Sequence, residues 1–313
     1  IVSDMLHGDS QIVGAATSGG TESILLACKT YRDRWNKKSF LGRPEMILAE
    51  SAHVAFEKAA HYFGIKIKRL PLDNGYKADL TKLEKMINRK TCMVVLSAPQ
   101  YPHGRIDPIV NAAIITKRKK VPLHVDACLG GFVLPWMEKL GEDIPNWDFR
   151  VDGVTSISLD VHKYGYCPKG ASLIMYKNMD YMQDQFFIST EWPGGIYASP
   201  TLAGSRPGAA IAAAYASVVS LGESGFMRET KKIIEAKKKF LDGLNAIPAL
   251  EVLGAPEGTC FAIVSKDPKI GIFAIGDQLA ENNWYFDRQH KPQALHSQSC
   301  LRIWSRYQIC SMR

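Results

Sequence analysis

One lysine in this sequence lies in a setting that suits covalent chemistry. Lys163 lies between His162 and Tyr164 and follows a predicted apolar strand over residues 154–157. Strand ends are where open α/β sheets bind ligands. A lysine that is partly desolvated there, beside another potential cation, has its ammonium form disfavoured, so its amine can attack a carbonyl. We therefore predict that Lys163 forms a Schiff base, although most lysines near strand ends are solvated charges.

A second segment suits a phosphate. Small residues at positions 17–23 precede a helical pattern, and a helix start offers bare backbone N–H groups and partial positive charge to an anion. The backbone at Gly19 and Gly20 and the hydroxyls of Ser18 and Thr21 are the predicted donors. The nucleotide-binding pattern Gly-x-x-x-x-Gly-Lys-Ser/Thr is absent, so a nucleotide site is not supported. The alternative is an ordinary glycine turn with a capping threonine.

Two further residues suit an aromatic cofactor. Asp126 ends a predicted buried strand, where its carboxylate either keeps a pyridine nitrogen protonated or caps the next turn. His53 opens a predicted helix, where its imidazole either lies flat on a cofactor ring or is a bystander. The alternation of His124, Asp126 and Cys128 resembles metal-ligand spacing. No second ligand cluster lies nearby, however, so no metal site is predicted.

The order of these features resembles fold-type I pyridoxal-phosphate enzymes, with Lys163 placed 37 positions after Asp126. Longer motifs, from about residue 13 to about residue 290, resemble the sphingosine-1-phosphate lyases. These motifs are Ser-Gly-Gly-Thr-Glu-Ser (18–23), Ser-Ala-His-x-Ala-Phe (51–56), Pro-Gln-Tyr-Pro-His-Gly (99–104), Val-Asp-Ala-Cys-Leu-Gly-Gly (125–131), His-Lys-Tyr-Gly-Tyr-x-Pro-Lys-Gly (162–170) and the glycine-rich segment 194–208. Val161 and Cys167 depart from the Thr and Ala usual in that family, and the tail after Leu295 matches nothing in it.

The resemblance implies an α/β fold of the aspartate aminotransferase type, with a mostly parallel central sheet flanked by helices and a small C-terminal α/β lobe. Residues 1–222 would form the cofactor-binding domain, with its N-terminal part missing, and residues 223–313 a small domain that is incomplete or atypical at its end. Alternating patterns support parallel βαβ units. The predicted strands are 45–49, 65–70, 92–97, 122–126, 153–158, 172–176, 250–253 and 260–265, and the predicted helices are 53–63, 79–88, 108–119, 209–221, 228–246 and 272–282.

The resemblance also implies an activity: cleavage of a long-chain base phosphate, such as sphingosine 1-phosphate, to a long-chain aldehyde and phosphoethanolamine. Lys163 would hold pyridoxal phosphate, Asp126 would keep its ring protonated and His53 would stack on it. The implied cofactor pocket comprises Ser18, Gly19, Gly20, Thr21, His53, Asp126, Cys128, His162 and Lys163. The candidates for the substrate phosphate are Tyr101, Lys169, Tyr197 and Arg206. Arg206 could instead make a structural turn contact before Pro207.

Two other functions stay open. A group II amino-acid decarboxylase would share the cofactor and the His-Lys pair, although Lys169 and the 194–208 motif favour the lyase. A catalytically silent lipid-binding relative is the other alternative, and the intact Lys163 and Asp126 argue against it. The resemblance also implies a homodimer, in which segment 194–208 reaches toward the neighbouring cofactor.

Composition limits the remaining choices. The 313 residues, 46% of them hydrophobic, suffice for one large core. The net charge of +8 suits an anionic partner, and a phosphorylated lipid at a membrane surface is preferred to nucleic acid because the basic runs lack interleaved aromatics. Seven cysteines without a Cys-x-x-Cys motif favour a reducing compartment, either cytosolic or facing the cytosol at an endoplasmic-reticulum-like membrane. No apolar run reaches the roughly 18 residues of a membrane span.

Overall fold

A seven-stranded sheet forms the centre of the chain. The structure is a computed structural model, which describes residues 1–39 and 42–298. The strands of the sheet are β1 (Val13–Thr17), β2 (Glu45–Ala49), β3 (Lys66–Leu70), β4 (Thr91–Ser97), β5 (Leu123–Asp126), β6 (Val154–Leu159) and β7 (Ser172–Tyr176). Their order is β1-β7-β6-β5-β4-β2-β3; β7 pairs antiparallel with both β1 and β6, and the other neighbouring strands pair parallel. The predicted mostly parallel sheet is confirmed.

Helices cover both faces of this sheet. They are α1 (Val2–Met5), α2 (Gly20–Asn36), α3 (Ala55–Phe63), α4 (Leu80–Met86), α5 (Ile109–Arg118), α6 (Leu134–Lys139), α7 (Met179–Met182) and the first part of α8 (Ala209–Asn245). Helix α9 (Ile272–Glu281) packs instead on a second, smaller sheet. Strands β2, β4, β5 and β6 are buried along their whole length, as expected for a parallel sheet covered on both sides. In β4, Val94 and Leu96 join the core beneath α5, whereas Met93 and Val95 join the core beneath α2 and α3.

Strand β1 was not predicted, because its sequence is dominated by small residues with weak strand preference. Close approach to β7 explains those residues. A Cβ atom at Gly14 would lie 2.6 Å from the carbonyl oxygen of Ile174 and 2.4 Å from the sulfur of Met175. The strand therefore forms through its antiparallel pairing with β7, which is a long-range contact that the local pattern does not contain.

Helix α8 corresponds to the two helices predicted at 209–221 and 228–246. The structure joins them into one element, with a break at Gly222 (φ 56°, ψ −176°) that only glycine adopts easily. By length and composition alone, α8 could cross a membrane, a criterion that core helices of soluble proteins also meet. Before α8 lies a hairpin that was not predicted, formed by β8 (Phe187–Ser189) and β9 (Tyr197–Ser199).

A second sheet follows α8. Its strands are β10 (Leu250–Val252), β11 (Cys260–Ser265), β12 (Asp287–His290) and β13 (Gln293–Gln298), paired antiparallel in the order β10-β11-β13-β12. Phe240 and Leu241 of α8 pack with Phe261 and Ile263 of β11 in a separate small core. Strands β12 and β13 were not predicted. The domain boundary after residue 222 stays a prediction, and the tail from residue 299 onward lies outside the described residues.

Candidate active site

A pocket of about 450 Å³ opens at the carboxyl ends of β4, β5 and β6. This is the edge at which open α/β sheets bind ligands. The predicted residues that line it are Ser18, Gly19, Gly20, Thr21, His53, Tyr101, Asp126, Cys128, His162 and Lys163. All the cofactor residues named from the sequence therefore lie around one cavity. The chain brings them together from four separate segments because successive parallel strands end at the same side of the sheet.

Lys163 lies in the turn that follows β6, and its ammonium has a carboxylate partner. Its Nζ atom lies 3.0 Å from Oδ2 of Asp160. Burial is the largest single effect and lowers the pKa of Lys163, but Asp160 together with Cys128 and Asp126 more than offsets it, so the pKa is raised. The expectation that the ammonium form is disfavoured is therefore wrong for the free chain, because the sequence argument included burial and a neighbouring cation but not this carboxylate.

Asp160 is the site residue that sequence reasoning missed. It is only 3% exposed, and its Oδ2 also lies 3.6 Å from Nε2 of His162. Its Oδ1 is buried without a hydrogen-bond partner among the described residues. A Cβ atom at Gly20 would lie 2.7 Å from that oxygen, so the first residue of α2 must be glycine for the two segments to approach. The available signal was its place, like that of Asp126, just after a buried strand.

Asp126 is held by the chain through one oxygen. Its Oδ1 accepts hydrogen bonds from the backbone N–H of Cys128 (3.0 Å) and the hydroxyl of Ser158 (3.1 Å). Its Oδ2 has no hydrogen-bond donor among the described residues, and the side chain lines the pocket. Asp126 thus caps the turn after β5, which was the structural alternative considered from the sequence. It still presents one carboxylate oxygen to a ligand.

His124 and Cys128, which alternate with Asp126 along the chain, are buried beside it. His124 is fully buried and contacts the hydroxyls of Ser156 (2.8 Å) and Ser158 (3.2 Å). Burial lowers the pKa of His124 to about 4, so its imidazole is neutral at physiological pH. Burial, together with Asp126 and Asp160, raises the pKa of the Cys128 thiol well above its ordinary value. Both side chains are uncharged packing partners of the carboxylate at neutral pH.

The phosphate loop leads directly into α2, which begins at Gly20. The first N–H groups of a helix have no partner within the helix, so those of α2 can bind an anion at the pocket. The hydroxyl and the backbone N–H of Ser18 both donate to the carboxylate of Glu22, at 2.6 and 2.7 Å. The predicted phosphate donor Ser18 therefore already has an acceptor in the free chain, whereas no side-chain hydrogen bond of Thr21 is found among the described residues.

His53 lies at the exposed rim of the pocket. Its Nδ1 accepts a hydrogen bond from the backbone N–H of Ala55 (3.1 Å), the first residue of α3. The helix therefore begins two residues later than predicted, with the imidazole satisfying one of its free donors. This contact fixes the ring beside the cavity, and its stacking role remains a prediction.

The four candidates for the substrate phosphate are not brought together within one chain. Tyr101 lines the pocket, where its hydroxyl donates to Asp287 (2.8 Å) and its ring stacks on His296. Lys169, Tyr197 and Arg206 are exposed and do not line it. The guanidinium of Arg206 donates to the hydroxyl of Thr201 (2.7 Å), which is the structural turn contact considered as its alternative.

The pocket fits pyridoxal phosphate. It offers a helix start for the phosphate, the free Oδ2 of Asp126 for a protonated ring nitrogen and the amine of Lys163 for a carbonyl. The approach of Gly20 to Asp160 leaves no room for a side chain at the start of α2, which keeps that backbone accessible. Lys163, Asp126, His53 and the 18–21 loop are the residues that would hold the cofactor.

Comparison with known proteins agrees with this fit. The chain is 50% identical to a sphingosine-1-phosphate lyase of Oryza sativa subsp. japonica over 286 residues, which are 91% of this chain and 53% of that protein. The solved structure of a sphingosine-1-phosphate lyase from Burkholderia pseudomallei is 40% identical, with a TM-score of 0.92 over 97% of this chain and 73% of the other. A glutamate decarboxylase of Lactobacillus brevis shares the fold, with 18% identity and a TM-score of 0.84 over 96% of this chain and 73% of that chain.

The chain spans about half the length of the curated relatives that it matches. Residues 3–264 match the pyridoxal-dependent decarboxylase conserved domain, which therefore accounts for most of the sequence. With the cofactor residues gathered at the carboxyl edge of the sheet, this chain belongs to the pyridoxal-dependent decarboxylase family.

Proposed function

We propose that this chain forms the catalytic part of a pyridoxal-phosphate-dependent aldehyde-lyase. It cleaves sphingosine 1-phosphate or a related long-chain base phosphate to a long-chain aldehyde and phosphoethanolamine. The observation that carries the proposal is that one pocket unites Lys163, Asp126 and the phosphate loop. In addition, 97% of this chain aligns at 40% identity with a bacterial lyase of this type. The competing function is decarboxylation of an amino acid with the same cofactor.

Each pocket residue has a defined task in this reaction. The bound cofactor supplies an electron sink for the carbanion that forms when the Cα–Cβ bond breaks. Lys163 holds and releases the cofactor, and Asp126 keeps a proton on the ring nitrogen. Burial, with a smaller contribution from Lys169, lowers the pKa of His162, so its imidazole is neutral near pH 7 and is our candidate to accept the proton of the 3-hydroxyl.

Asp160 is expected to control the pH dependence of cofactor attachment. Its charge raises the pKa of Lys163 above the ordinary value, so little free amine exists at neutral pH. Asp160→Asn removes the largest of the charges that raise this pKa, while the opposing effect of burial remains, so the pKa should fall. The second-order rate constant for attachment should therefore rise at pH 7, and its pH profile should shift to lower pH. Stopped-flow absorbance after addition of pyridoxal phosphate measures this. An unchanged profile, or the same shift in the exposed control Asp143→Asn, would contradict it.

An exposed apolar surface supports the homodimer. The hairpin and the first half of α8 expose large apolar side chains: Phe187, Ile188, Trp192, Ile196, Leu202, Ile211, Tyr215 and Val219. Large exposed apolar patches mark protein–protein contacts. A two-fold pairing over this surface, burying more than about 2,000 Å², would also bring Tyr197 and Arg206 toward the neighbouring pocket, from which they are absent within one chain.

The dimer is tested by charge insertion. We expect the wild-type chain to sediment as a dimer and Ile196→Asp with Tyr215→Asp to sediment as a monomer, because two carboxylates would be buried in the interface. Analytical ultracentrifugation measures the change. Tyr285→Asp is the matched control, since Tyr285 is 74% exposed and lies between α9 and β12, away from the hairpin in the sequence. A fully active wild-type monomer would refute the shared site.

The substrate phosphate is tested by removing its cations. We expect Lys169→Ala and Arg206→Ala each to raise the Michaelis constant for sphingosine 1-phosphate by roughly 30- to 150-fold, from about 2–3 kcal/mol per charge-assisted contact. The constant for non-phosphorylated sphingosine should change little, and so should cofactor affinity, because the cofactor phosphate binds at Gly19. Equal losses for both substrates would place these residues in the fold instead. Detection of carbon dioxide from an amino acid, without aldehyde, would establish the decarboxylase.

We also propose that the protein associates with a membrane surface. The net charge of +8 favours contact with anionic lipid, where a long-chain base phosphate resides, over nucleic acid. We accordingly propose a cytosolic location, or one facing the cytosol at an endoplasmic-reticulum-like membrane.

A further inference from the structure

A second cavity lies at the opposite edge of the main sheet. It measures about 430 Å³ and is bordered by Thr91 at the start of β4, by Pro122 just before β5 and by Gly153 just before β6. The active-site pocket borders the far ends of the same strands. A strand as long as β4 spans about 20 Å, so the two cavities are separate.

The floor of this cavity is buried and polar. Tyr31 of α2 is fully buried, and its hydroxyl contacts the hydroxyls of Thr155 (2.6 Å) and Ser156 (2.7 Å). Trp35, one turn further along α2, forms part of the wall, and its ring N–H donates to the carbonyl of Arg89 (3.0 Å). These contacts hold both rings in place, so the cavity has a preformed aromatic side.

The wall is strongly basic. Five cations line the cavity against one carboxylate: Arg34, Lys38, Lys117, Lys120 and Lys177 against Asp152. Asp152 is shared by two of them, with Lys177 at 2.7 Å and Lys117 also in contact. Arg34 is paired outside the lining, with Asp180 and with Asp184 at 2.8 Å.

Lys38 and Lys120 are the other two cations that line the cavity. Both are exposed at the cavity, and neither forms an ion pair with any carboxylate among the described residues. These two lysines border the same cavity from different elements, one after α2 and one after α5. Such a pair matches the two negative charges of a phosphate monoester, and the adjacent Trp35 and Tyr181 provide contact for an aromatic or apolar body.

We propose that this basic cavity, lined by Arg34, Trp35, Lys38, Lys117, Lys120 and Tyr181, binds a phosphate monoester carried by a small molecule or by a lipid headgroup. The volume falls within the range of about 300–1,000 Å³ usual for small-molecule sites. The site is independent of the proposed cleavage reaction, because none of its lining residues borders the cofactor pocket.

The test uses the full chain loaded with pyridoxal phosphate, so that the cofactor's own phosphate site is filled. Phenyl phosphate is titrated calorimetrically into the wild type, Lys38→Ala with Lys120→Ala, and the control Lys238→Ala with Lys239→Ala. The control removes the same charge from exposed positions of α8 that do not line the cavity. We expect saturable binding by wild type and control, and about tenfold weaker binding by the Lys38/Lys120 variant, since each exposed ionic contact contributes up to about 1 kcal/mol.

Vesicles distinguish the two sources of the phosphate. Phosphatidylcholine vesicles with and without phosphatidic acid are sedimented with the same three proteins. Binding of phenyl phosphate that depends on Lys38 and Lys120 supports a soluble ligand, and the same dependence seen only with phosphatidic acid supports a headgroup. Equal weakening in the control variant, or no binding of either probe by the wild type, would overturn the site.

Discussion

Replacing Lys163 with alanine is expected to abolish turnover. The lysine amine is the group that captures and releases the cofactor carbonyl, and removal of a covalent catalytic group of this kind lowers rates by about 10⁴-fold or more. Alanine also leaves Asp160, which is 3% exposed, without the ammonium that lies 3.0 Å away. Lys163→Arg is therefore the sharper variant, because it retains the positive charge while its guanidinium cannot act as the amine nucleophile.

Three measurements check this expectation. Steady-state assays should detect no aldehyde from either variant. Borohydride reduction of the loaded wild type, followed by peptide mapping, should place the cofactor on Lys163. Thermal unfolding should show that Lys163→Arg stays close to the wild type, whereas Lys163→Ala loses stability because an unpaired carboxylate remains buried. Recovery of the cofactor on another lysine, such as Lys169, would mean that the pocket is misassigned.

The second large effect concerns the ring nitrogen. Asp126→Asn removes the negative charge that keeps this nitrogen protonated, and breaking a buried ion pair costs about 3 kcal/mol or more, which corresponds to at least about 150-fold in rate. Cofactor occupancy should fall much less, since the phosphate loop and Lys163 are unchanged. Measurement of kcat together with the bound cofactor fraction separates the two effects.

Ser158→Ala provides the matched comparison for Asp126. It deletes one hydrogen bond to Oδ1 and leaves the carboxylate and its free Oδ2 in place. A hydrogen bond to a charged group contributes about 1.5–3 kcal/mol, but the carboxylate keeps its charge and its bond from the Cys128 N–H, so activity should fall clearly less than in Asp126→Asn. If Asp126→Asn lost no more activity than Ser158→Ala, the carboxylate would serve the turn after β5 and not the cofactor.

The fold was largely predictable where the signal is local. Strands β2 and β4 are largely apolar runs, β5 and β6 carry apolar residues at alternate positions, and α3, α4 and α5 were predicted, so the bounds of these elements agree with prediction to within about two residues. The ends of parallel strands share one edge, so the convergence of Asp126 and Lys163 followed from their positions in the sequence. The short helices α6 and α7, strand β1, the hairpin and strands β12 and β13 were missed; the strands depend on pairing partners and not on their own residues.

The sequence by itself determined which residues meet at one pocket: the lysine, the aspartate, the histidine and the phosphate loop all border it. Only the tertiary structure decided their electrostatics. The carboxylate of Asp160 lies close to Lys163 because a turn after β6 folds back on itself, and this contact is the largest of those that together reverse the expected direction of the lysine pKa shift. Folding likewise placed Tyr197 and Arg206 outside the pocket of their own chain. Residue types and strand ends are local properties, whereas charge pairing depends on distances of a few ångströms between segments, which only the folded chain sets.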